Sequence, residues 1–271
     1  MTDPDVFADA KAPYNKVRLT GAVENNYVYA TLLSKNLYPF GYQKLHLVAL
    51  PLDWRDNQLT FMTDVDMMRQ AHHAIDWFRE AGRKWDELKK NVSGMNFFEQ
   101  LNYRNKIITQ NPKSPYKVIY NASGTNIASC VLELAQFDGF VYDRITNGFI
   151  VDTTTYHYDT NNVDEAHYLC AVLNSSYINE MIKMYQPKGL QGERHIHRTP
   201  FEACAIPPFD PQNTDHLELA RLSKEAHEAT LFIRTAENIK GGVAGLRRLA
   251  RESAQKQIDM IDKITERILD L

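Results

Sequence analysis

The chain has 271 residues, of which 44% are hydrophobic and 24% are charged, a composition typical of a folded protein with one large domain or two smaller ones. The formal net charge of -3 excludes a chain that is basic over its whole surface, so a nucleic-acid surface would have to be a local patch. Residues 79 to 117 have such an excess, with nine Lys and Arg against four Asp and Glu. A solvated helix face followed by a lysine-rich loop would explain this excess equally well.

The cysteines and the apolar stretches favour a reducing compartment and no membrane span. Cys130, Cys170 and Cys204 are odd in number, widely spaced and set among apolar neighbours, which predicts core residues in a reducing compartment rather than disulfides. The N-terminus lacks a cationic start followed by an apolar run, and no apolar stretch approaches the roughly 20 residues that span a bilayer. We therefore expect a cytoplasmic protein that has no membrane partner.

The first hundred residues predict short strands followed by helices. Val, Leu and Tyr are frequent from Tyr14 to Trp54 and are interrupted by turn-forming residues, and the clearest strand is Leu45 to Leu50. Asp64 is the expected N-cap of a helix that continues to about Lys90, since apolar residues recur there every three or four positions. A second helical piece is expected from Asn96 to about Tyr103.

The middle of the chain predicts a strand and a hairpin. Residues 116 to 121 are a β-rich run that ends in the turn-prone segment Asn121-Ala-Ser-Gly124. Residues 140 to 145 and 149 to 156 flank the dipeptide Asn147-Gly148, which accepts the positive φ angles of a type I′ turn. We therefore expect a β-hairpin about Asn147-Gly148.

The last hundred residues predict three helices. The first runs from Val163 to Tyr185 and opens near Asn162, the second runs from about Thr214 to Ile233, and the third follows Gly241-Gly242 and continues to Leu271. The third helix has apolar residues in near-heptad spacing and Arg residues crowded near its start. This apolar stripe could pack on its own domain or dock onto another domain or subunit.

Together these elements predict the α+β class. We expect a mixed β-sheet or partly closed barrel covered by helices, followed by a helical C-terminal segment. The corresponding division is a domain of residues 1–211 and a helical segment of residues 212–271.

A search for catalytic and cofactor motifs finds none. A glycine-rich turn between a strand and a helix is missing, because Gly241-Gly242 follows a helix. A Gly-X-Ser-X-Gly elbow is also missing, and Glu87-Leu88-Lys89, which has the letters of a nuclease motif, falls on an amphipathic helix. The sequence therefore predicts no catalytic residue and no cofactor site in this chain.

A metal site at His195 and His197 is one alternative. An extended His-X-His can supply two nitrogen ligands to zinc, and Glu193 is close in sequence. A catalytic zinc usually needs a third protein ligand with supporting hydrogen bonds, and the sequence identifies none. We prefer hydrogen bonds from the two histidines to a phosphate or a partner carbonyl, so we predict no metal; a metal-dependent hydrolase remains the other possibility.

Several segments resemble one family of DNA-modifying enzymes. They are Leu101-Asn-Tyr-Arg-Asn-Lys-Ile-Ile-Thr-Gln110, Tyr116-Lys-Val-Ile-Tyr-Asn-Ala-Ser-Gly-Thr-Asn126, Leu169-Cys-Ala-Val-Leu-Asn-Ser-Ser176, His195-Ile-His-Arg-Thr-Pro-Phe-Glu202 and Ile206-Pro-Pro-Phe-Asp210. In combination they resemble the C-terminal target-recognition region of TaqI-like and type IIG N6-adenine DNA methyltransferases, over about residues 27 to 227. The resemblance implies a chain that reads double-stranded DNA while another domain flips an adenine and methylates it from S-adenosylmethionine.

The chain also departs from that family. The Asn-Pro-Pro-Tyr type of catalytic motif is absent, and Asn111-Pro-Lys-Ser-Pro-Tyr116 has the wrong spacing. The resemblance therefore implies a recognition domain or a separate specificity subunit. The methyltransferase catalytic domain or subunit that binds S-adenosylmethionine would be its partner.

The candidate DNA-facing residues are basic and polar side chains in these segments. Arg and Lys serve phosphates, whereas Asn, Gln and Arg make paired hydrogen bonds to base edges. The set is Arg104, Lys106, Gln110, Lys117, Arg194, His195, His197 and Arg198. Asn121, Ser123 and Thr125 could equally well form turns by bonding their own backbone. The competing function is a protein-interaction or scaffold subunit that docks through its C-terminal helix.

Overall fold

The computed structural model describes residues 1–2, 6–7, 10–56, 58–89, 94–137, 140–141, 144–186 and 195–269. The chain forms two compact units, each assembled from three separate stretches. Unit 1 comprises Met1–Ala30, Leu47–Pro112 and Gly139–Ile150, and unit 2 comprises Thr31–His46, Lys113–Asp138 and Val151–Leu271. These units do not follow the expected division at residue 211, because the C-terminal helices belong to the same unit as residues 113–138. Within the described ranges, no helix is both long and apolar enough to cross a membrane.

The strands are short. They are β1 (Val28–Thr31), β2 (Leu37–Tyr38), β3 (Gly41–Tyr42), β4 (His46–Ala49), β5 (Leu52–Arg55), β6 (Gln58–Phe61), β7 (Tyr116–Asn121), β8 (Ser129–Glu133), β9 (Phe140–Val141), β10 (Arg144–Ile145) and β11 (Thr155–Thr160). The α-helices are α1 (Asp64–Gln70), α2 (Ala74–Leu88), α3 (Phe97–Leu101), α4 (Val163–Asn174), α5 (Ser176–Lys183), α6 (Thr199–Ala203), α7 (Thr214–Thr230), α8 (Gly242–Ser253) and α9 (Gln255–Leu269).

The predicted α+β class is confirmed. The largest sheet of the described residues has three strands, in the order β11-β7-β8, and the others pair β1 with β4, β2 with β3, β5 with β6 and β9 with β10. The strands therefore form small separate sheets rather than the single mixed sheet or partly closed barrel that we expected.

In unit 1, the helix expected from Asp64 to Lys90 is two helices. Thr63 rather than Asp64 is the N-cap of α1, with a capping box to Asp66. The carboxylate of Glu24 accepts hydrogen bonds from the N–H groups of His73 and Ala74, both at 2.8 Å, and so caps α2. The break cannot be read locally, because the capping residue lies about 50 positions earlier in the chain.

The expected hairpin about Asn147-Gly148 is wrong. The Asn147 N–H donates to the carbonyl of Val28, and the Gly148 carbonyl accepts from Ala30 N–H. β9 pairs with β10, whereas β11 pairs with β7. A Cβ at Gly148 would lie 2.2 Å from the carbonyl oxygen of Pro112, and its φ is 116°. Glycine is therefore required at this position for a close backbone approach and not for a hairpin turn.

Unit 2 is built on the antiparallel sheet β11-β7-β8, and the predicted strand at residues 116–121 is confirmed as β7. The helix expected from Val163 to Tyr185 is divided at Ser175, whose hydroxyl accepts from the Ile178 N–H and caps α5. The N-cap of α4 is Asn162, as the sequence predicts.

The C-terminal helices α8 and α9 belong to unit 2. The apolar stripe of α9 is buried in the main core of this unit together with residues of α4 and α7. The buried residues of the stripe are Ile258, Ile261, Ile264 and Ile268. Of the two interpretations of this stripe, packing on its own unit is confirmed. The three cysteines are also free and buried, as expected of core residues.

Candidate nucleic-acid interface

The structure divides the sequence-predicted DNA-facing residues between the two units. Arg104, Lys106 and Gln110 lie in unit 1, and Lys117, His195, His197 and Arg198 lie in unit 2. Arg194 lies outside the described residues.

In unit 1, Arg104 is exposed and Gln110 is not. The guanidinium of Arg104 lies 5.2 Å from the ring centroid of Tyr103, and its backbone is left-handed, with a φ of 57°. Lys106 is half-buried, and its carbonyl accepts a 3.0 Å hydrogen bond from the side-chain amide of Gln110. Gln110 is buried in unit 1. Its assignment as a DNA-facing residue is wrong, because an amide inside the unit cannot reach a base edge.

Lys117 is also wrongly assigned to a DNA face. Its side chain is only 1% exposed, and its ammonium donates to Asp159 Oδ1 at 2.5 Å. Burial lowers the pKa of Lys117, and the Asp159 carboxylate opposes that shift. Lys117 is thus an internal cation with an internal counterion, and it cannot contact a phosphate at the surface.

The segment His195–Arg198 is held against the end of β7 by its backbone. The N–H groups of Ile196 and His197 both donate to the carbonyl of Ala122, at 3.0 and 3.1 Å. The hydroxyl of Tyr120 donates to the His197 carbonyl at 2.8 Å, and Ile196 is buried in the core. The backbone of this segment is therefore fixed from both sides.

The side chains of this segment are exposed. His195, His197 and Arg198 are at the surface, and the two imidazole rings are stacked with their centroids 4.9 Å apart. A 3.2 Å hydrogen bond joins Tyr156 Oη to His197 Nδ1. Arg198 is 73% exposed, with Glu202 at 3.5 Å as its ion-pair partner. The segment presents two rings and one guanidinium from a rigid backbone.

Aromatic residues that sequence reasoning missed surround this segment. The rings of Tyr120 and Tyr156 are stacked, with a centroid distance of 5.5 Å, and Phe201 lies 6.0 Å from Tyr120. Tyr156 and Tyr158 alternate along β11, and this period of two is a signal that could have identified them. The proximity of Tyr156 to His197 could not be inferred, because it depends on the pairing of β11 with β7.

The zinc alternative requires a third ligand beside the two histidines. In the parts of the chain that the structure describes, no three His, Cys, Asp or Glu side chains are grouped as a metal site would need. Glu193 lies outside the described residues. The hydrogen bond between Tyr156 and His197 Nδ1 also occupies one of the ring nitrogens that a metal would use.

A comparison of the chain with protein-family models found no match, and a comparison with curated proteins found none either.

Proposed function

We propose that this chain is the sequence-specific DNA recognition domain or subunit of an N6-adenine DNA methyltransferase or restriction-modification enzyme. The methyl transfer, and the S-adenosylmethionine it consumes, would belong to a catalytic domain or partner subunit. The observation that carries the proposal is the fixed segment His195–Arg198, whose polar side chains are exposed while its backbone is bonded to β7. The sequence segments that resemble the methyltransferase recognition region support it independently.

Rigid presentation of polar groups favours recognition of DNA for a thermodynamic reason. Binding costs free energy for every side chain and loop that has to be ordered, and a backbone fixed in advance reduces that cost. The ion pair of Arg198 with Glu202 is exposed, and such pairs contribute little to stability. The Arg198 guanidinium can therefore exchange this carboxylate for a phosphate or a guanine edge, which are groups that it binds in a bidentate manner.

The test of this proposal is the substitution Arg198→Ala with Arg248→Ala as its matched control. Arg248 is also 73% exposed and also pairs with a Glu four positions later, Glu252, but it lies on α8. We expect Arg198→Ala to weaken duplex DNA binding about tenfold, or ~1.4 kcal/mol, and to reduce its salt dependence. Arg248→Ala should bind as the unsubstituted chain does. Fluorescence anisotropy with a labelled duplex at several salt concentrations measures both quantities.

Two results would contradict the proposal. One is a chain that binds no duplex at any salt concentration, tested against a library of random sequences so that an unknown target site is included. The other is an equal loss of affinity in both variants, since this would indicate nonspecific attraction to surface charge.

The scaffold alternative has less support from the fold. It depends on the near-heptad stripe of the last helix, and the buried isoleucines of that stripe lie in the core of unit 2.

A further inference from the structure

In the loop Ser123–Asn126, which connects β7 to β8, the carbonyl groups of the first and last residues accept hydrogen bonds from inside the protein. The buried side chain of Asn121 donates from Nδ2 to the carbonyls of Ser123 and Asn126, at 2.7 and 3.2 Å. Asn121 Oδ1 accepts from the Ala128 N–H at 2.8 Å. Asn121 therefore sets the conformation of the loop from inside.

Two amide groups at the end of this loop have no acceptor among the described residues. The next carbonyl, that of Ile127, accepts from Arg251 Nη2 at 3.0 Å. By contrast, within the described residues the backbone N–H groups of Thr125 and Asn126 donate to no protein acceptor. The start of the loop differs, because an antiparallel bridge pairs Ser123 with His195. Successive backbone N–H groups that have no protein acceptor favour anions over cations.

Arg247 lies directly against this loop. Its Nε donates to the Leu37 carbonyl at 3.1 Å and its Nη2 to the Ser34 carbonyl at 2.9 Å, so the guanidinium is held in place. Its remaining nitrogen, Nη1, lies 3.4 Å from the position that a Cβ of Gly124 would occupy. Among the described residues Nη1 has no acceptor. Gly124 has a φ of 142°, which favours glycine, and the absence of a side chain there lets the guanidinium approach the loop.

Arg247 is half-buried, and its charge has no counterion among the described residues. In the part of the chain that the structure describes, neither Arg247 nor Arg251 forms an ion pair; both donate to carbonyl groups. Burial lowers the pKa of Arg247 to about 10, and repulsion from Arg251 adds to that shift. A partly buried cation that lacks a counterion is unfavourable, and an anion bound beside it would remove that cost.

We propose that the loop Ser123–Asn126 and Arg247 form a phosphate-binding subsite for the DNA backbone. The inference rests on the proposed function for the source of the phosphate, whereas the anion site itself rests on the geometry. An isolated antiparallel bridge joins Ser123 to His195, so the subsite adjoins the segment His195–Arg198. Phosphate contacts fix the register of a protein on a duplex, and base contacts then read the sequence. The subsite accordingly positions the duplex for the side chains of His195–Arg198.

The first arm of the test measures duplex binding by the full chain as a function of salt. Arg247→Gln removes the cation, and Thr125→Glu places a carboxylate on the exposed loop, where it would neutralise Arg247 and repel a phosphate. Each should weaken binding about three- to tenfold at low salt. Each should also reduce the slope of log K against log salt by about 0.9, the value for one phosphate contact. Arg247→Lys, Thr125→Gln and Arg248→Gln are the controls, and we expect all three to keep the original slope.

The second arm uses inorganic phosphate as the probe and needs no DNA. Amide resonances of residues 123 to 126 should shift on titration of phosphate into the full chain, and the shifts should be lost in Thr125→Glu but kept in Thr125→Gln. Because residue 125 is exposed, this pair remains informative if Arg247→Gln does not fold.

The two arms separate the possible failures. Duplex binding with an unchanged salt slope in both Arg247→Gln and Thr125→Glu would overturn the subsite and leave the proposed function standing. Phosphate shifts at residues 123 to 126 without duplex binding would keep the anion site, assign it to a free phosphate compound, and overturn the proposed function. A chain that gives neither response would overturn both.

Discussion

The buried ion pair of Lys117 and Asp159 shows that position in the fold decides what a charged residue does. Alternation along β7 places Lys117, Ile119 and Asn121 on one face of the strand, and all three are buried. A strand covered on both faces gives its lysine no access to a ligand. A buried cation needs a counterion inside the protein, and Asp159 of the neighbouring strand β11 supplies it.

We predict unequal costs for the two halves of this pair. Asp159→Asn leaves an ammonium without a counterion in the core of unit 2 and should lower the free energy of unfolding by about 3–5 kcal/mol. Lys117→Met removes the buried charge while it keeps the length of the side chain, so its cost should be clearly smaller. Urea denaturation followed by far-UV circular dichroism measures both. Equal costs would mean that the ion pair contributes no more than packing, and loss of duplex binding in a folded Lys117→Met would contradict its structural assignment.

Of the residues that the sequence predicts to face DNA, some are exposed and others are buried. Arg198, His195 and His197 are exposed as expected, because a polar segment before a proline-containing turn is typically at the surface. Gln110 and Lys117 have similar neighbours in the sequence, yet they are buried. Their burial depends on partners far away in the chain, such as the contact of Lys117 with a residue 42 positions later.

At the scale of elements, helices α4 and α7 are joined by a buried pair of histidines. His227 Nε2 accepts a 3.1 Å hydrogen bond from the Val131 N–H of β8. Nε2 therefore carries no proton, and the ring is uncharged. Its Nδ1 lies 2.7 Å from the Ser223 carbonyl. His167 Nδ1 is 3.1 Å from the Ser223 hydroxyl, and the two imidazole rings are 4.9 Å apart. Two helices and one strand thus depend on uncharged imidazoles.

We predict that unit 2 loses stability in mild acid. Burial lowers the pKa of His227 to about 4, and burial together with repulsion from His227 lowers the pKa of His167 to about 3. The unfolded chain binds these protons near pH 6.5 and the folded chain does not, so protonation favours unfolding. The stabilisation is complete above about pH 6.5 and is lost as pH falls toward 4, with a slope of about 1.4 kcal/mol per pH unit for each proton.

The variant His227→Gln tests this assignment. Between pH 6.5 and 4, unfolding of this variant should take up about one proton fewer, so the slope of its unfolding free energy against pH should be smaller. Comparison of the variant with the original chain at pH 7.5 gives the cost of the substitution itself. A pH profile that the variant leaves unchanged would show that another group is responsible.

Element boundaries were predictable where a cap is local and not where a partner is distant. Asn96 and Asn162 accept hydrogen bonds from N–H groups two or three residues later, and the helices begin where the sequence predicts. Asn147-Gly148 also has the local signature of a turn, but the strands that it would join pair elsewhere. The glycine is needed because the Pro112 carbonyl approaches it closely. The local sequence cannot predict this contact, because the two residues are far apart in the chain.

At the scale of the whole molecule, the chain leaves and re-enters each unit. We predict that a fragment of residues 1–211 keeps unit 1 folded but loses unit 2, because it lacks α7 to α9. These helices supply Leu219, Leu222, Ile258 and Ile261, among other residues, to the core that contains β7 and α4. At about 2–5 kcal/mol for each buried aliphatic side chain, the loss of these residues is comparable to or larger than the stability of a typical domain, about 5–15 kcal/mol.

Hydrogen exchange of the fragment and of the full chain measures this outcome. Amides of α2 in unit 1 should stay protected in both and serve as the internal control, whereas amides of β7 and β8 should exchange rapidly in the fragment alone. Protection of β7 and β8 in the fragment would show that residues 1–211 form an independent domain after all.

The interleaved path of the chain also has a consequence for biosynthesis. All residues of unit 1 have been made once Ile150 has been added, whereas β7 and β8 of unit 2 need partners that extend as far as Ile268. At about 5–20 residues per second, the ribosome needs on the order of ten seconds to add those partners. During that interval the apolar residues of β7 and β8 lack the C-terminal helices that bury them in the folded chain. Nascent chains of this protein should therefore depend on chaperones at the stage when unit 1 is complete and the last helices have not yet left the ribosome.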